Sequence, residues 1–313
     1  MAPFDPTFGR SVGCMDNRAE VREFLISRRA KLTPDAVGLP PGTNRRVPGL
    51  RRSEVAMLAG VSNEYYAKLE RGQIAGASES VLSALAQALR LDDAERAHLF
   101  DLSRAAGQGP TRPRRRAAPS TVRPSMQLML DAITGGAAMV RNGRMDIIAL
   151  NALGRAMQSL VLEPPGDGNL ARFAFLDPRA RDFHPSWETA ADITVGILRT
   201  EAGRDPYDRE LQDLVGELST RSDEFRTRWG AHNVRQHGAG VKQFVHPVVG
   251  ELELGYEDLQ FVQHPGLTFL VYFPQPGSAS FERMQLLAAW QATRESEADA
   301  GTPRHAASTF QEE

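Results

Sequence analysis

The sequence predicts two domains, an all-α front half of five helices followed by an α+β half with an antiparallel sheet. Three observations carry this prediction. First, 313 residues at about 150 residues per domain suggest two units. Second, apolar residues recur at helical spacing up to residue 106, whereas strand-like runs appear only beyond 124. Third, residues 107–124 between them hold four prolines, two glycines and five arginines, the composition of a linker. Charge divides at the same place. Lys and Arg number 20 against 13 Asp and Glu over residues 1–123, and 17 against 26 over 124–313, so the net −2 is a +7 half joined to a −9 half. A basic half on an acidic one is the asymmetry of a nucleic-acid reader fused to something else.

Each element of the front half follows in order. Residues 1–16, with Pro3, Pro6, Gly9 and Gly13 and no periodicity, read as a disordered leader. Asn17 followed by Glu20 is a capping-box pattern, and Val21, Phe24, Leu25 and Leu32 repeat at helical spacing behind it. Met15 directly before that cap raises the hypothesis that translation starts there. Residues 33–49 are a Pro- and Gly-rich loop carrying Arg45 and Arg46. Helical periodicity resumes over 50–59 and 62–71, with Ser62 an N-cap, and over 78–90, which starts at Ser78. A fifth helix runs from Asp92 to about Ala106 with acidic residues in its first turn, so the helical domain spans 17–106.

Past the linker, strands are predicted at Ala137–Val140, Met145–Leu150, Val241–Val249, Glu251–Tyr256 and Leu267–Phe273. Helical stretches lie at roughly 186–201, 207–229 and 279–292. Two strands, then helices, then three strands joined by turns such as Val249-Gly250 and Pro265-Gly266 read as an antiparallel sheet with helices on one side. This second domain is placed at 125–292, with a disordered tail over 293–313.

Several classes are excluded or disfavoured. No apolar run reaches the roughly 18 residues a membrane span requires. The N-terminus lacks the apolar core of a signal peptide. Cys14 is the sole cysteine, which precludes an internal disulfide and a Cys-rich zinc site and fits the cytoplasm. No G-x-S-x-G elbow, phosphate-binding loop or G-x-G-x-x-G turn occurs, so an enzyme is disfavoured and no cofactor is expected. His232, His237 and His246 superficially suggest a metal site, but intervening Gly238 and Gly240 leave a shared face unproven and no carboxylate cluster accompanies them.

The segment RRSEVAMLAGVSNEYYAKLE, residues 51–70, has helix-turn-helix spacing. Such a motif needs a small residue where the helices touch, a residue free to turn left-handed between them, and apolar anchors on the second helix. Ala56, Gly60, Val61, Tyr66 and Leu69 meet these in order, with Val55 and Leu58 completing the core face. An ordinary helical hairpin is the alternative, disfavoured by the arginines flanking the first helix and the polar face of the second. The second helix of such a motif enters the major groove. Asn63, Tyr65 and Lys68 are therefore assigned to base or groove contacts, Asn suiting adenine and Lys guanine. Glu64 either accepts from cytosine N4 or repels wrong sites. Arg45, Arg46, Arg51, Arg52 and the Ser62 hydroxyl are assigned to phosphates. The arginine run at 112–116 is either an arm that touches DNA or a solvated linker.

At these residues the chain resembles the actinobacterial MmyB-like regulators, whose helix-turn-helix is of the Xre/Cro type. The resemblance rests on NRRVPGLRRSEVAMLAGVSNEYYAKLERG and SVLSALAQALRLDDAERAHLFDLSRAAG, then on VRNGRMDIIALN, NLARFAFLDPRAR and KQFVHPVVGELELGYEDLQF, and covers nearly everything from Asp16 to Trp290. It implies a PAS-like ligand-binding domain, transcriptional regulation and a fatty-acid-like ligand. Relatives commonly carry tryptophan where this chain has Leu150. If that position lines the pocket, the ligand here differs in size or shape.

For the second half, LTFLVYF is apolar on both alternating sets, so both faces of that strand should be covered. The expected cavity lining is Met139, Ile147, Leu150, Phe173, Phe175, Trp187, Phe244 and Phe269, although any of them would serve equally as plain core. Together these readings describe a transcription regulator that reads a double-stranded operator and senses a small apolar, fatty-acid-like molecule. The alternative is a DNA-tethered protein-interaction module with no small ligand. A single helix-turn-helix reads few base pairs, so a homodimer on two half-sites about one helical turn apart is expected.

Overall fold

A computed structural model of the chain describes residues 17–40, 49–107, 121–164, 167–233, 238–264 and 266–301. The expected leader with Met15 and Cys14, Arg45 and Arg46, the arginine run at 112–116, His237 and positions 302–313 lie outside them.

Among the described residues, five α-helices form the front domain: α1 (Asn17–Lys31), α2 (Arg52–Leu58), α3 (Asn63–Glu70), α4 (Glu79–Ala88) and α5 (Asp93–Gly107). Val21, Phe24, Leu25, Val55, Tyr66, Leu69, Leu85, Leu99 and Leu102 supply one core. The Ser62 and Ser78 hydroxyls accept from Tyr65 N (3.1 Å) and Val81 N (3.3 Å), so both expected caps start their helices. Two local expectations fail. Asn17 does not cap α1, because its amide donates to the Leu102 carbonyl (3.2 Å) and its Oδ1 has no partner. Glu20 turns instead toward the second domain. Leu58 is 36 % exposed, because α2 turns Val55, Ala56 and Ala59 inward.

The second domain opens with α6 (Pro124–Asp131), β1 (Ala137–Asn142) and β2 (Ile147–Leu150). Four short helices follow, α7 (Ala152–Met157), α8 (Ser159–Leu162), α9 (Leu170–Leu176) and α10 (Arg179–Phe183), none of which the periodicity revealed. They have at most two turns, too few for a 3.6-residue pattern to repeat. Next come α11 (Trp187–Arg204), α12 (Arg209–Arg221) and α13 (Asp223–Gly230). The predicted helix over 207–229 is thus broken at Ser222, whose backbone is extended and whose hydroxyl caps α13 by accepting from Phe225 N (3.2 Å). The chain closes with β3 (Ala239–His246), β4 (Gly250–Gln260), β5 (Leu267–Pro274) and α14 (Ala279–Gly301). The last helix extends past the expected bound at 292.

All five strands pair antiparallel in the order β2-β1-β5-β4-β3. Register aligns Met139 with Leu270, Tyr256 with Tyr272 and Lys242 with Leu254, and these positions face the helical layer. Helices cover both sides rather than one: α6 crosses the opposite face, where Met126 and Leu130 pack on Ala138, Val140, Leu267 and Phe269. Asn151 secures the turn into α7. Its Oδ1 accepts from Ala138 N and Gly154 N and its amide donates to Ile133 O and Gly136 O, all within 3.0 Å. The two domains meet where α11 packs on α5. Among the described residues, no helix is long and apolar enough to cross a membrane.

Candidate DNA-binding face and effector cavity

The turn between α2 and α3 is built on Gly60, whose φ of +65° is the left-handed region where side chains are strained. Nothing lies within 4 Å of where a Cβ would sit, so conformation rather than space demands glycine. Val61 N donates to Ala56 O (2.9 Å), closing the turn over the small buried residue that lets the helices touch. Tyr66 and Leu69 anchor α3 to the core. Asn63, Glu64 and Lys68 stand exposed, while Tyr65 is half-buried against the core. The structure therefore brings together three of the four side chains assigned to the groove and tucks the fourth partly beneath them.

The assigned phosphate contacts divide. Arg51 and Ser62 are exposed at the starts of α2 and α3. Arg52 is also exposed, yet its Nε pairs with Glu70, which is 2 % exposed and accepts as well from Arg29 Nε (2.6 Å). That hydrogen bond raises the Arg52 guanidinium pKa. Arg52 thus has a structural task, neutralising a buried carboxylate, that its place beside Arg51 did not disclose. Tyr66 is buried beside the same carboxylate, and burial pushes its phenol upward.

In the second domain a cavity of about 50 Å³ lies between the inner face of the sheet and helices α9 and α11. Of the eight expected lining residues, Phe173 and Phe244 border it. Met139, Leu150 and Trp187 are buried in the adjoining core, where the Trp187 indole donates to Ala174 O (2.9 Å). Ile147 packs half-buried on that core, and Phe175 sits between it and the α11–α12–α13 core, edge-on to both Trp187 and Phe225. Phe269 belongs to the opposite face under α6, and Leu270 and Tyr272 line the cavity in its place. Strand β5 is apolar on both parities, so only the placement of α6 decides which set faces inward. A wider hollow of about 360 Å³, open to the surface beside Asp131, Leu153 and Gln291, contains none of the expected residues.

Sequence reasoning missed the cavity's polar atoms. Arg141 Nη2 pairs with Asp258 Oδ2 at 2.8 Å, both side chains being buried. Burial against Arg141 raises the Asp258 carboxyl, since desolvation outweighs the neighbouring charge. Lys242 has its ammonium 5.2 Å from the Phe244 ring. Burial, with a smaller contribution from Arg141, pushes that ammonium down to about 8. Among the described residues no carboxylate forms an ion pair with it. His184 lines the same cavity with Nδ1 unpartnered, and burial, then Lys242, holds its imidazole well below the ordinary range. The available signal was parity: Lys242, Phe244 and His246 alternate along β3, so an inward Phe244 implies an inward Lys242.

Among the described residues, His232 and His246 do not come together. His246 is buried with Nε2 3.1 Å from Ala156 O, while His232 lies at the joint between the domains. There the ligand atoms of Glu20, Glu23 and His232 fall within 4.8 Å of one another. Glu20 approaches Nδ1 (3.6 Å) and Glu23 approaches Nε2 (2.8 Å), so the carboxylates occupy opposite ring nitrogens, and Arg199 takes the same Glu20 oxygen. Arg199, Glu20, His232 and Glu23 thus form a chain of polar contacts across the joint.

Residues 23–99 match a helix-turn-helix domain, and residues 122–287 match the MmyB-like transcription regulator ligand binding domain. None of the curated proteins compared matches the chain. The helix-turn-helix match covers the turn at Gly60 and the exposed face of α3, and the longer match spans more than half the chain, including the whole sheet and cavity. The chain accordingly belongs to the MmyB-like transcription regulators, a DNA-binding helix-turn-helix domain followed by a ligand-binding domain.

Proposed function

We propose that this regulator, acting in the cytoplasm as a homodimer, reads an operator through Asn63, Glu64, Tyr65 and Lys68 and is tuned by a fatty-acid-like anion held in the second domain. Exposure of α3 beside Arg51 and Ser62 supports the DNA contacts, with Arg45 and Arg46 adding phosphate affinity. The strand order β2-β1-β5-β4-β3 with a helical layer on its inner face supports a PAS-like reading.

The observation that carries the ligand class is Lys242. A desolvated ammonium without a carboxylate partner, set above Phe173, Phe244 and Leu270, suits an anionic head on an apolar tail. His184 offers a neutral nitrogen beside it. Titration calorimetry of the full chain with palmitate and with hexadecanol tests this. Palmitate should bind at least tenfold more tightly, and Lys242→Met should remove the difference. Equal affinity for both would reject carboxylate recognition.

A docking role for the second domain is the other reading, favoured by Val241, Leu259 and Phe273, which are exposed together on the outer face of β3–β5. Absence of binding by either lipid, together with capture of a protein partner lost on Val241→Glu, would favour it.

A further inference from the structure

We propose that α11 is a transmission rod, through which a ligand entering the cavity undocks the helix-turn-helix domain at a latch formed by Arg199 and Gly203. The inference rests on the ligand reading above and adds how the cavity reaches the DNA-binding domain.

One helix serves both places. The N-terminal eleven residues of α11 supply the cavity wall with Ala190, Ile193, Thr194 and Ile197. Its C-terminal end docks on α1 and α5. Arg199 has no exposed surface, and its guanidinium donates to the Glu20 carboxylate of α1 and to the Trp229 carbonyl. It also lies 2.8 Å from His232 Nδ1 and 4.1 Å above the Trp229 ring. Around it, Arg28 of α1 donates to the His232 carbonyl, and Arg204 Nε stands 3.4 Å from Asp101 of α5. One turn beyond Arg199 the helices touch. A Cβ on Gly203 would lie 2.5 Å from His98 Cε1 and 2.7 Å from Nδ1. The His98 ring is fully buried and packed edge-on to Phe24 at 5.1 Å, so it has no free direction in which to yield.

The cavity is too small for the ligand it suits. Pockets for small molecules run from about 300 Å³ upward, against about 50 Å³ here. A five-stranded hydrogen-bonded sheet forms its floor, so the helical wall is what gives way. An α-helix of 18 residues is about 27 Å of internally bonded rod, and displacing its cavity-lining stretch, which ends at Ile197, shifts Arg199 and Gly203 just beyond it. Packed helices are bistable rather than elastic, so a small shift releases the contact. Docking leaves Asn63, Glu64 and Lys68 exposed. The docked form therefore presents α3 in a fixed orientation, and release frees the helix-turn-helix domain to reorient, so that its orientation must be fixed again on DNA.

Gly203→Ala is the mechanical test, because it wedges the joint without altering the cavity lining or α3 and favours the helical state of α11. The full chain is compared with this variant by hydrogen exchange and by binding to a duplex that the wild type selects from a random library. Exchange should rise at least tenfold over 17–31 and 93–107 with 239–246 and 267–274 unchanged, and binding should weaken five- to twentyfold. Saturating palmitate should do the same to the wild type. A joint that opens while DNA binding stays within twofold, a Gly203→Ala joint that stays closed, or bound palmitate that leaves the joint protected would each overturn the proposal. Should palmitate not bind at all, the ligand reading fails while the variant still decides the latch. Glu20→Gln, which keeps side-chain size and removes the charge facing Arg199, serves the same comparison if Gly203→Ala does not fold.

Discussion

Arg199 of the second domain and Glu20 of the first form an ion pair across 179 residues of chain, with the guanidinium wholly removed from solvent. Burying such a charge is costly, and taking away one partner leaves the other stranded. Arg199→Ala should therefore lower the unfolding free energy by about 3–5 kcal/mol. The double replacement Glu20→Gln with Arg199→Met should cost less than the sum of the single changes, by about 0.5–3 kcal/mol. Denaturant titration of the wild type, Arg199→Ala, Glu20→Gln, Arg199→Met and the double variant measures both quantities, and additive losses within the cycle would show that the pair carries no coupling.

Arg51 and Arg52 are adjacent but should respond differently. Arg51→Ala should weaken DNA binding evenly across sequences and reduce the slope of log affinity against log salt by about 0.9. Arg52→Ala removes one of two cations from buried Glu70 and should lower thermal stability as well. Paired melting curves and salt titrations separate the two, and identical behaviour would contradict the anchoring of Arg52.

Acid should loosen the fold in two stages. Burial holds the His98 and His184 imidazoles below their ordinary range, so both are neutral when folded and take up protons when unfolded. Their contribution is complete above about pH 6.5 and is lost as pH falls through their folded values, by at most about 1.4 kcal/mol per pH unit for each proton. Glu20 titrates later. Burial raises it, but the neighbouring His232 and His98 rings and the charge of Arg199 hold it well below the usual carboxylate range, so its share persists until about pH 4.5 and then declines. Denaturation midpoints between pH 7 and 4 check this, and His184→Gln should flatten the first stage.

Ligand affinity should fall on the alkaline side. With the Lys242 ammonium pushed down to about 8, palmitate binding should be strong below that pH and weaken tenfold per pH unit above it. Calorimetry at pH 7, 8 and 9 reads this directly, and a flat profile would remove Lys242 from the site.

The helix-turn-helix was legible because its requirements are local. Ala56, Gly60, Ser62, Tyr66 and Leu69 fall within fourteen consecutive residues, 56–69, and each residue type answers one steric or hydrogen-bonding need. The sheet was legible as runs of apolar residues, but its inward face was not. LTFLVYF offers two apolar sets, and Phe269 rather than Leu270 was assigned to the cavity because the covering helix α6 lay hidden at the edge of a proline-rich linker. Pairings distant in sequence left no trace at all. Nothing near Glu20 announces Arg199, and its spacing from Asn17 imitated a capping box; nothing near Arg52 announces Glu70.

Sequence-specific duplex binding through α3 is the central claim, and one titration tests it most directly. Fluorescence anisotropy of the full chain against its selected duplex and a scrambled duplex, at one salt concentration, should show at least a hundredfold preference that Asn63→Ala and Lys68→Ala each reduce tenfold or more. Equal affinity for the two duplexes, or a preference untouched by both substitutions, would contradict it.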